Sequence, residues 1–247
     1  SPPGAHPLHR SSKNGVSKML HMQIGSPLRP AAVFGIAVVL LLCLAVSPAA
    51  ADDDWVTLQT WDFESGTNEG WRVGSVYGHG PYMTYSLAPS LDAYAGNYSL
   101  KCSLTDYSLN LYAPIQNPVD ADEYRLECWS QTNFEGTFYY HGGGIGANDA
   151  GSNLIAKILG YQTGYEGVDF RSYYSDTLGA YLTATSSEGV WSRHVIEWSS
   201  ITGVINHTVY STDGTVLGSR ILTRSETRGK VPAEVISSCG AIDYRRW

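Results

Sequence analysis

Short runs that alternate apolar and polar residues, each ended by Gly, Asn, Asp or Pro, fill the chain after residue 51. No stretch longer than ten residues in this part keeps the apolar period of an amphipathic helix. A period of two places successive side chains on opposite faces of a strand, and closely spaced turn residues are typical of antiparallel sheets. The sequence therefore predicts an all-β fold, a two-sheet antiparallel sandwich.

The predicted strands follow these runs, and the turn residues between them set their ends. The segment at 211–214 (STDG) is a hairpin signal, because Gly214 can adopt the positive φ that the reversal needs. The strands are predicted at 56–64, 71–77, 82–87, 98–104, 108–113, 124–131, 137–141, 154–161, 168–174, 179–185, 191–198, 204–210, 215–218 and 234–244.

Residues 1–51 differ in composition from the rest and have the features of a leader. Arg29 precedes an uninterrupted apolar run at 31–46, and small residues follow at 47–51. Positive charge, apolar run and small residues, in that order, form a cleavable signal peptide, so cleavage is predicted near Ala51. Residues 1–18 are expected to lack structure, and 52–247 to form the β-sandwich domain. The alternative is an uncleaved anchor, although the run is shorter than the roughly 20 residues that span a bilayer.

Removal of the leader makes the chain strongly acidic. Residues 1–51 carry four of the 16 basic residues and none of the 23 acidic ones, which leaves a net charge of −11 for the mature chain. Nucleic acids and anionic lipids require basic patches, so both are disfavoured as partners. We expect a secreted or cell-surface protein that meets the membrane only through an uncleaved leader.

Three cysteines, Cys102, Cys128 and Cys239, follow the leader. An oxidising compartment would allow one disulfide and one free thiol. Cys102 and Cys128 alternate with leucines, which also favours two buried free thiols, and the sequence leaves both alternatives open.

A glycine-rich stretch occupies residues 141–146 (HGGGIG). A phosphate-binding loop would open a helix and usually end in Gly-Lys-Ser or Gly-Lys-Thr, and neither feature is present. We therefore predict a flexible loop here.

Two groups of motifs resemble those of a known superfamily. The opening WDFESG at 61–66, followed by EGW at 69–71 and GNYSL at 96–100, is similar to the start of secreted jelly-roll modules. The segment from Trp191 to the DGT at 213–215 resembles a later hairpin of the same fold. The chain thus resembles the concanavalin A-like or laminin-G-like jelly-roll superfamily, which includes secreted carbohydrate-binding modules and lectin-like proteins.

The resemblance also implies one structural calcium ion. In the family, an acidic residue of the first strand and one of the last hold this ion, and the matching positions here are Glu64 and Asp243. Tyr244 stands where the family usually has a second acidic residue, so a fold without calcium stays open as an alternative.

The candidate ligand site lies on the predicted strand at 168–174. Its polar side chains alternate with apolar ones and would share one sheet face with side chains from neighbouring strands. Aromatic rings pack against the C–H faces of sugars, while polar groups bind the hydroxyls. The predicted ligand-binding residues are Tyr139, His141, Asp169, Arg171, Tyr173 and Tyr181.

Trp61, Trp71, Trp191 and Trp198 alternate with other apolar residues and are predicted to be core. An enzyme that cleaves glycans needs two carboxylates across the sugar, and no complete motif of this kind is found. His194 and Glu197 are three residues apart, which places them on opposite faces of one strand.

Together these features predict a secreted, non-catalytic carbohydrate-binding module. A structural or adhesive cell-surface protein is the main alternative, and a glycan-degrading enzyme is the next.

Overall fold

Fifteen strands form the regular structure of the described residues, apart from one short 3-10 turn at Ser225–Thr227. The structure is a computed structural model that describes residues 16–25, 55–78, 84–105, 107–132, 143–163, 167–174, 177–187 and 189–241. The strands are β1 (Val16–Gly25), β2 (Trp55–Trp61), β3 (Arg72–Gly78), β4 (Thr84–Ser90), β5 (Ser99–Thr105), β6 (Tyr107–Pro114), β7 (Glu123–Thr132), β8 (Gly143–Asp149), β9 (Leu154–Thr163), β10 (Gly167–Tyr174), β11 (Thr177–Ser187), β12 (Ser192–Ser199), β13 (Val204–Tyr210), β14 (Val216–Thr223) and β15 (Pro232–Ala241).

The strands form two antiparallel sheets. The first sheet has the order β14-β13-β12-β7-β1-β5-β4, and β2 pairs with β1 beside β5. The second sheet has the order β11-β10-β9-β8-β15-β6-β3. The hairpin predicted at residues 211–214 joins β13 to β14, and Gly214 adopts a φ of 85°.

One hydrophobic core draws side chains from both sheets. Strand β7 alternates buried and partly exposed residues along most of its length, as a strand with one face on a core does. The buried residues include Leu126, Cys128, Ile196 and Trp198 of the first sheet and Leu111, Ile145, Ile158 and Val235 of the second. The all-β fold predicted from sequence is confirmed, and the shared core is that of a sandwich.

Three of the four tryptophans predicted to be core are buried: Trp61, Trp71 and Trp198. Trp191 is only partly buried. Cys102 and Cys128 are buried thiols that are not joined to each other, so the disulfide alternative does not hold for this pair. The side chain of Cys239 lies outside the described part.

The prediction of a flexible loop at residues 141–146 was wrong from Gly143 onward. Gly143–Asp149 forms β8, which pairs with β9 and with β15. Glycine is needed at position 146, because a Cβ there would overlap the backbone oxygen of Ala156. Close approach of two strands, rather than flexibility, accounts for this glycine.

Strand β1 is a second element that sequence reasoning did not find. Val16–Gly25 lies between β7 on one side and β2 with β5 on the other.

Three features of the sequence analysis lie outside the described residues: the apolar run at 31–46, the predicted cleavage near Ala51 and the predicted strand at 137–141. Among the described residues, no helix is long and apolar enough to cross a membrane.

Candidate functional site

The ligand-binding residues predicted from sequence fall mainly on β10 and β11. The backbone pairs Arg171 of β10 with Tyr181 of β11, and β9 pairs with the other edge of β10. The side chains of Asp169, Arg171, Tyr173 and Tyr181 lie outside the described part of the structure, as do Tyr139 and His141 entirely. This surface therefore stays a prediction.

Glu64, predicted to bind calcium, holds two segments of chain together. Its Oε1 accepts hydrogen bonds from the backbone N–H groups of Asn97 at 2.7 Å and Tyr98 at 3.0 Å, and its Oε2 accepts one from Asn97 Nδ2 at 2.8 Å. The bonds from Tyr98 N–H and then from Asn97 hold the pKa of the Glu64 carboxyl below its usual value, because they favour the ionised form.

These contacts make Glu64 an anchor between the turn after β2 and the segment before β5. Asp243 lies outside the described residues, so the predicted calcium site cannot be assembled from them. Within those residues, no group of three or more His, Cys, Asp and Glu side chains is placed to hold a metal ion.

The outer face of the first sheet, meaning the side opposite the core, carries a set of polar and aromatic side chains. The register of β7, β12 and β13 aligns these side chains in rows across the strands. The rows are Glu123 with Ser199; Arg125 with Glu197 and Asn206; Glu127 with Val195 and Thr208; and Trp129 with Arg193 and Tyr210.

Ion pairs join the middle of this face into a network. Glu127 lies between two guanidinium groups: Arg125 Nη2 at 3.0 Å and Arg193 Nε at 2.7 Å. Arg125 Nη1 also lies 3.8 Å from Glu197 Oε1, and Asn206 Nδ2 donates a hydrogen bond of 3.2 Å to Glu197 Oε2. The network fixes the orientation of side chains that span three strands.

Aromatic rings lie at one end of the outer face. Tyr94, from the segment between β4 and β5, stacks on Trp129 with centroids 3.6 Å apart and planes 13° apart. Trp191 lies 5.9 Å from Tyr94, and the Arg193 guanidinium lies 5.0 Å from the Tyr210 ring centroid. Tyr94 keeps 36% of its surface exposed, so this cluster forms a partly accessible aromatic patch.

An open cleft of about 480 Å³ lies at the opposite end. Ligand-binding clefts commonly have volumes of roughly 300 to 1,000 Å³. Its walls combine one partly exposed indole, two carboxylates, hydroxyls and an amide. The lining residues are Trp55, Glu123, Tyr124, Glu197, Trp198, Ser199, Thr202, Val204 and Asn206.

The sheet register explains why the cleft is open beside Trp55. Gly25 of β1 pairs with Trp55 on one side and with Glu123 on the other. Because glycine has no side chain, the space between Trp55 and Glu123 is left unfilled. The register thus places Trp55 and Glu123 on either side of one strand.

A separate polar cluster lies on the buried face of the same strands. His194 Nε2 lies within hydrogen-bonding distance of Ser130 Oγ at 2.8 Å and Ser192 Oγ at 2.9 Å, and all three residues are buried. His207 is also fully buried, and burial lowers its pKa to about 3. The predicted separation of His194 from Glu197 by strand parity is confirmed, because Glu197 lies on the outer face.

Sequence reasoning missed the outer-face cleft. Strand parity separated Glu197 from His194, but it did not show that Trp55 would lie across from β7. Comparison with known protein families, with curated proteins and with solved structures finds no match. The assignment of function therefore rests on the site itself.

Proposed function

We propose that this protein is a secreted, non-catalytic carbohydrate-binding module of the jelly-roll type, and that its glycan binds in the outer-face cleft. The observation that carries the proposal is the combination of the Trp55 indole with Glu123, Glu197 and Asn206 around one open space. Sugars present apolar C–H faces and a ring of hydroxyls, and this site offers a partner for each.

The polar groups of the cleft favour an uncharged or cationic glycan. Glu123 and Glu197 accept hydrogen bonds from hydroxyls or amines, whereas an anionic sugar would be repelled by both. The Asn206 side chain already donates to Glu197, which holds that carboxylate in one orientation for a ligand. Pre-oriented groups lose less entropy on binding, and this strengthens a small site.

A glycan array probed with the full-length protein, with calcium and with EDTA, tests the proposal. We expect a neutral or amine-bearing glycan to bind in both conditions, and Trp55→Ala to abolish the signal. Tyr85→Ala is the matched control, because Tyr85 is another exposed aromatic residue and lies on β4. If no glycan binds in either condition, the proposal fails and a structural or adhesive role becomes the better account.

A second candidate function, glycan hydrolysis, is favoured by the position of two carboxylates in the same cleft. Glu197 pairs with Arg125, and Glu123 lies two residues before Arg125, so the two glutamates are diagonal neighbours across β7 and β12. The Cα atoms of diagonal neighbours lie about 7 to 8 Å apart, which allows their side-chain carboxyl groups a similar separation. Inverting glycosidases hold their two carboxyl groups roughly 6.5 to 9.5 Å apart.

Product release from soluble polysaccharides separates hydrolysis from binding. Hydrolysis would give new reducing ends with the wild type and none with Glu123→Gln or Glu197→Gln, while both variants still bound the glycan. Binding without new reducing ends would identify the module as non-catalytic.

A further inference from the structure

The loop between β4 and β5 holds the ring of Tyr94 in one orientation. Near the start of this loop, the backbone oxygen of Asp92 accepts a hydrogen bond from Ser99 Oγ, and near its end Glu64 accepts bonds from two backbone N–H groups. The Tyr94 ring stacks on Trp129, with planes 13° apart. The indole covers one face of the phenol ring, so the 36% of Tyr94 that stays exposed belongs to its remaining surface.

Tyr94 and the cleft beside Trp55 lie at opposite ends of the same strand. Trp129, under Tyr94, is near one end of β7, and Glu123, which lines the cleft, is at the other. Positions 123 and 129 are six residues apart. Because a strand rises about 3.3 Å per residue, the two ends are separated by roughly 20 Å.

The surface between these two ends is polar and balanced in charge. Arg125 and Arg193 lie against Glu127 and Glu197 there. The side chains of these four residues are 19 to 36% exposed, so a ligand on the outer face can reach them. Guanidinium groups donate hydrogen bonds and carboxylates accept them, and hydroxyl groups can do both. Two charges of each sign favour a ligand that is rich in hydroxyls and has no net charge.

We propose that Tyr94 forms a second sugar-binding position, and that one linear glycan chain lies along β7 from the cleft to Tyr94. Since single bonds are about 1.5 Å long, each sugar of such a chain adds roughly 5 Å. A span of roughly 20 Å then corresponds to about four sugars. The inference rests on the proposed glycan binding, and it names the ligand as a neutral polysaccharide chain.

Two positions on one chain bind more strongly than either does alone. Once the cleft holds one end of the chain, contact with Tyr94 becomes intramolecular and loses little further freedom of motion. The stacked Tyr94 ring is already oriented, which reduces the entropy lost on binding. A chain too short to reach both ends lacks this gain.

A length series of neutral oligosaccharides tests the proposal in the full-length protein. The probes are linear oligomers of glucose, mannose, xylose and galactose, each from one to six sugars, first on an array and then in calorimetric titrations of the series that binds. We expect the affinity to rise at least about tenfold between two and four sugars and to change little beyond five. The six-sugar oligomer should bind with a 1:1 ratio.

Two variants of Tyr94 separate the second position from the cleft. Tyr94→Ala should weaken binding of the six-sugar oligomer at least about tenfold and leave binding of the two-sugar oligomer unchanged. Tyr94→Phe should keep the wild-type affinity for both, because the ring remains. Trp55→Ala should weaken both, and Tyr85→Ala, which removes an exposed aromatic ring on β4, should weaken neither.

Equal affinities of the wild type for the two-sugar and six-sugar oligomers would overturn the extended site and leave glycan binding in the cleft intact. So would an equal loss for both lengths in Tyr94→Ala, or two six-sugar oligomers bound to each protein. If no series binds at all, the proposed glycan binding itself fails. The two failures are therefore distinguishable.

Discussion

Arg193 contacts both carboxylate oxygens of Glu127 across two strands of the outer face. Its Nε lies 2.7 Å from Oε1, and its Nη2 donates a hydrogen bond of 3.0 Å to Oε2. The Glu127 side chain is only 20% exposed, and Arg125 approaches the same carboxylate. Both arginines are largely removed from water. Loss of Glu127 would therefore leave two guanidinium groups without the carboxylate that offsets the cost of burying their charge.

We expect Glu127→Ala to lower the free energy of unfolding by about 2 kcal/mol, since charged hydrogen-bond partners contribute roughly 1.5 to 3 kcal/mol each. Urea denaturation of the full-length protein measures this change. Asp120→Asn is the control, because it removes an exposed carboxylate and should change stability by less than about 0.5 kcal/mol. Equal effects of the two substitutions would show that the network contributes little.

Gly96 is expected to be the more sensitive of two glycines with positive φ. Gly96 has a φ of 74° and Gly70 a φ of 84°, so alanine strains the backbone at both positions, by about 1 to 2 kcal/mol. A Cβ at position 96 would also overlap the Glu64 carboxylate, whereas nothing lies within 4 Å of one at position 70. Thermal unfolding should therefore show a larger loss for Gly96→Ala than for Gly70→Ala.

A double variant separates the overlap from the strain. In a Glu64→Ala background the overlap is absent, so Gly96→Ala should cost only as much as Gly70→Ala does. If its cost is unchanged in that background, overlap with the Glu64 carboxylate does not account for the sensitivity of Gly96.

His207 should make stability depend on pH in the acid range. Burial lowers its pKa to about 3 from an ordinary value near 6.5, so the unfolded chain binds a proton that the folded protein excludes. This contribution is fully present above about pH 6.5 and is lost as the pH falls toward 3. Between pH 7 and pH 5 we expect a loss of about 2 kcal/mol, at ~1.4 kcal/mol per pH unit below 6.5.

Urea denaturation at both pH values, for the wild type and for His207→Gln, checks this dependence. The chain has seven histidines, so the difference between the two proteins isolates the contribution of His207. Parallel pH profiles for the two proteins would contradict it.

Local pattern was sufficient to predict most of the strands. Alternation and turn residues located β7, β12 and β13 closely, because each has one face on the core and ends at residues that reverse the chain. The same reasoning failed at Gly143–Asp149, where glycines serve close strand packing and so mimic a loop. It also failed at Val16–Gly25, because the composition of the surrounding leader outweighed a short alternating run.

The candidate site was harder to predict than the fold because it depends on contacts between distant segments. Alternation along one strand predicted that Glu197 and His194 lie on opposite faces of the sheet. The position of Trp55 relative to Glu123, however, depends on β1, which lies between β2 and β7. Trp191 looked like a core residue in its apolar context, yet it joins Tyr94 in the outer aromatic patch. Sequence separation hides such relationships, and only the register of the sheet brings them together.

The central claim is that a glycan binds in the cleft beside Trp55, and calorimetric titration of two full-length variants tests it most directly. The ligand is the glycan with the strongest signal on the array. The account predicts that Trp55→Ala weakens binding at least about tenfold, ~1.4 kcal/mol, while Tyr173→Ala on β10 leaves the affinity unchanged. Loss of binding in Tyr173→Ala with wild-type affinity in Trp55→Ala would contradict the account and place the glycan on the second sheet.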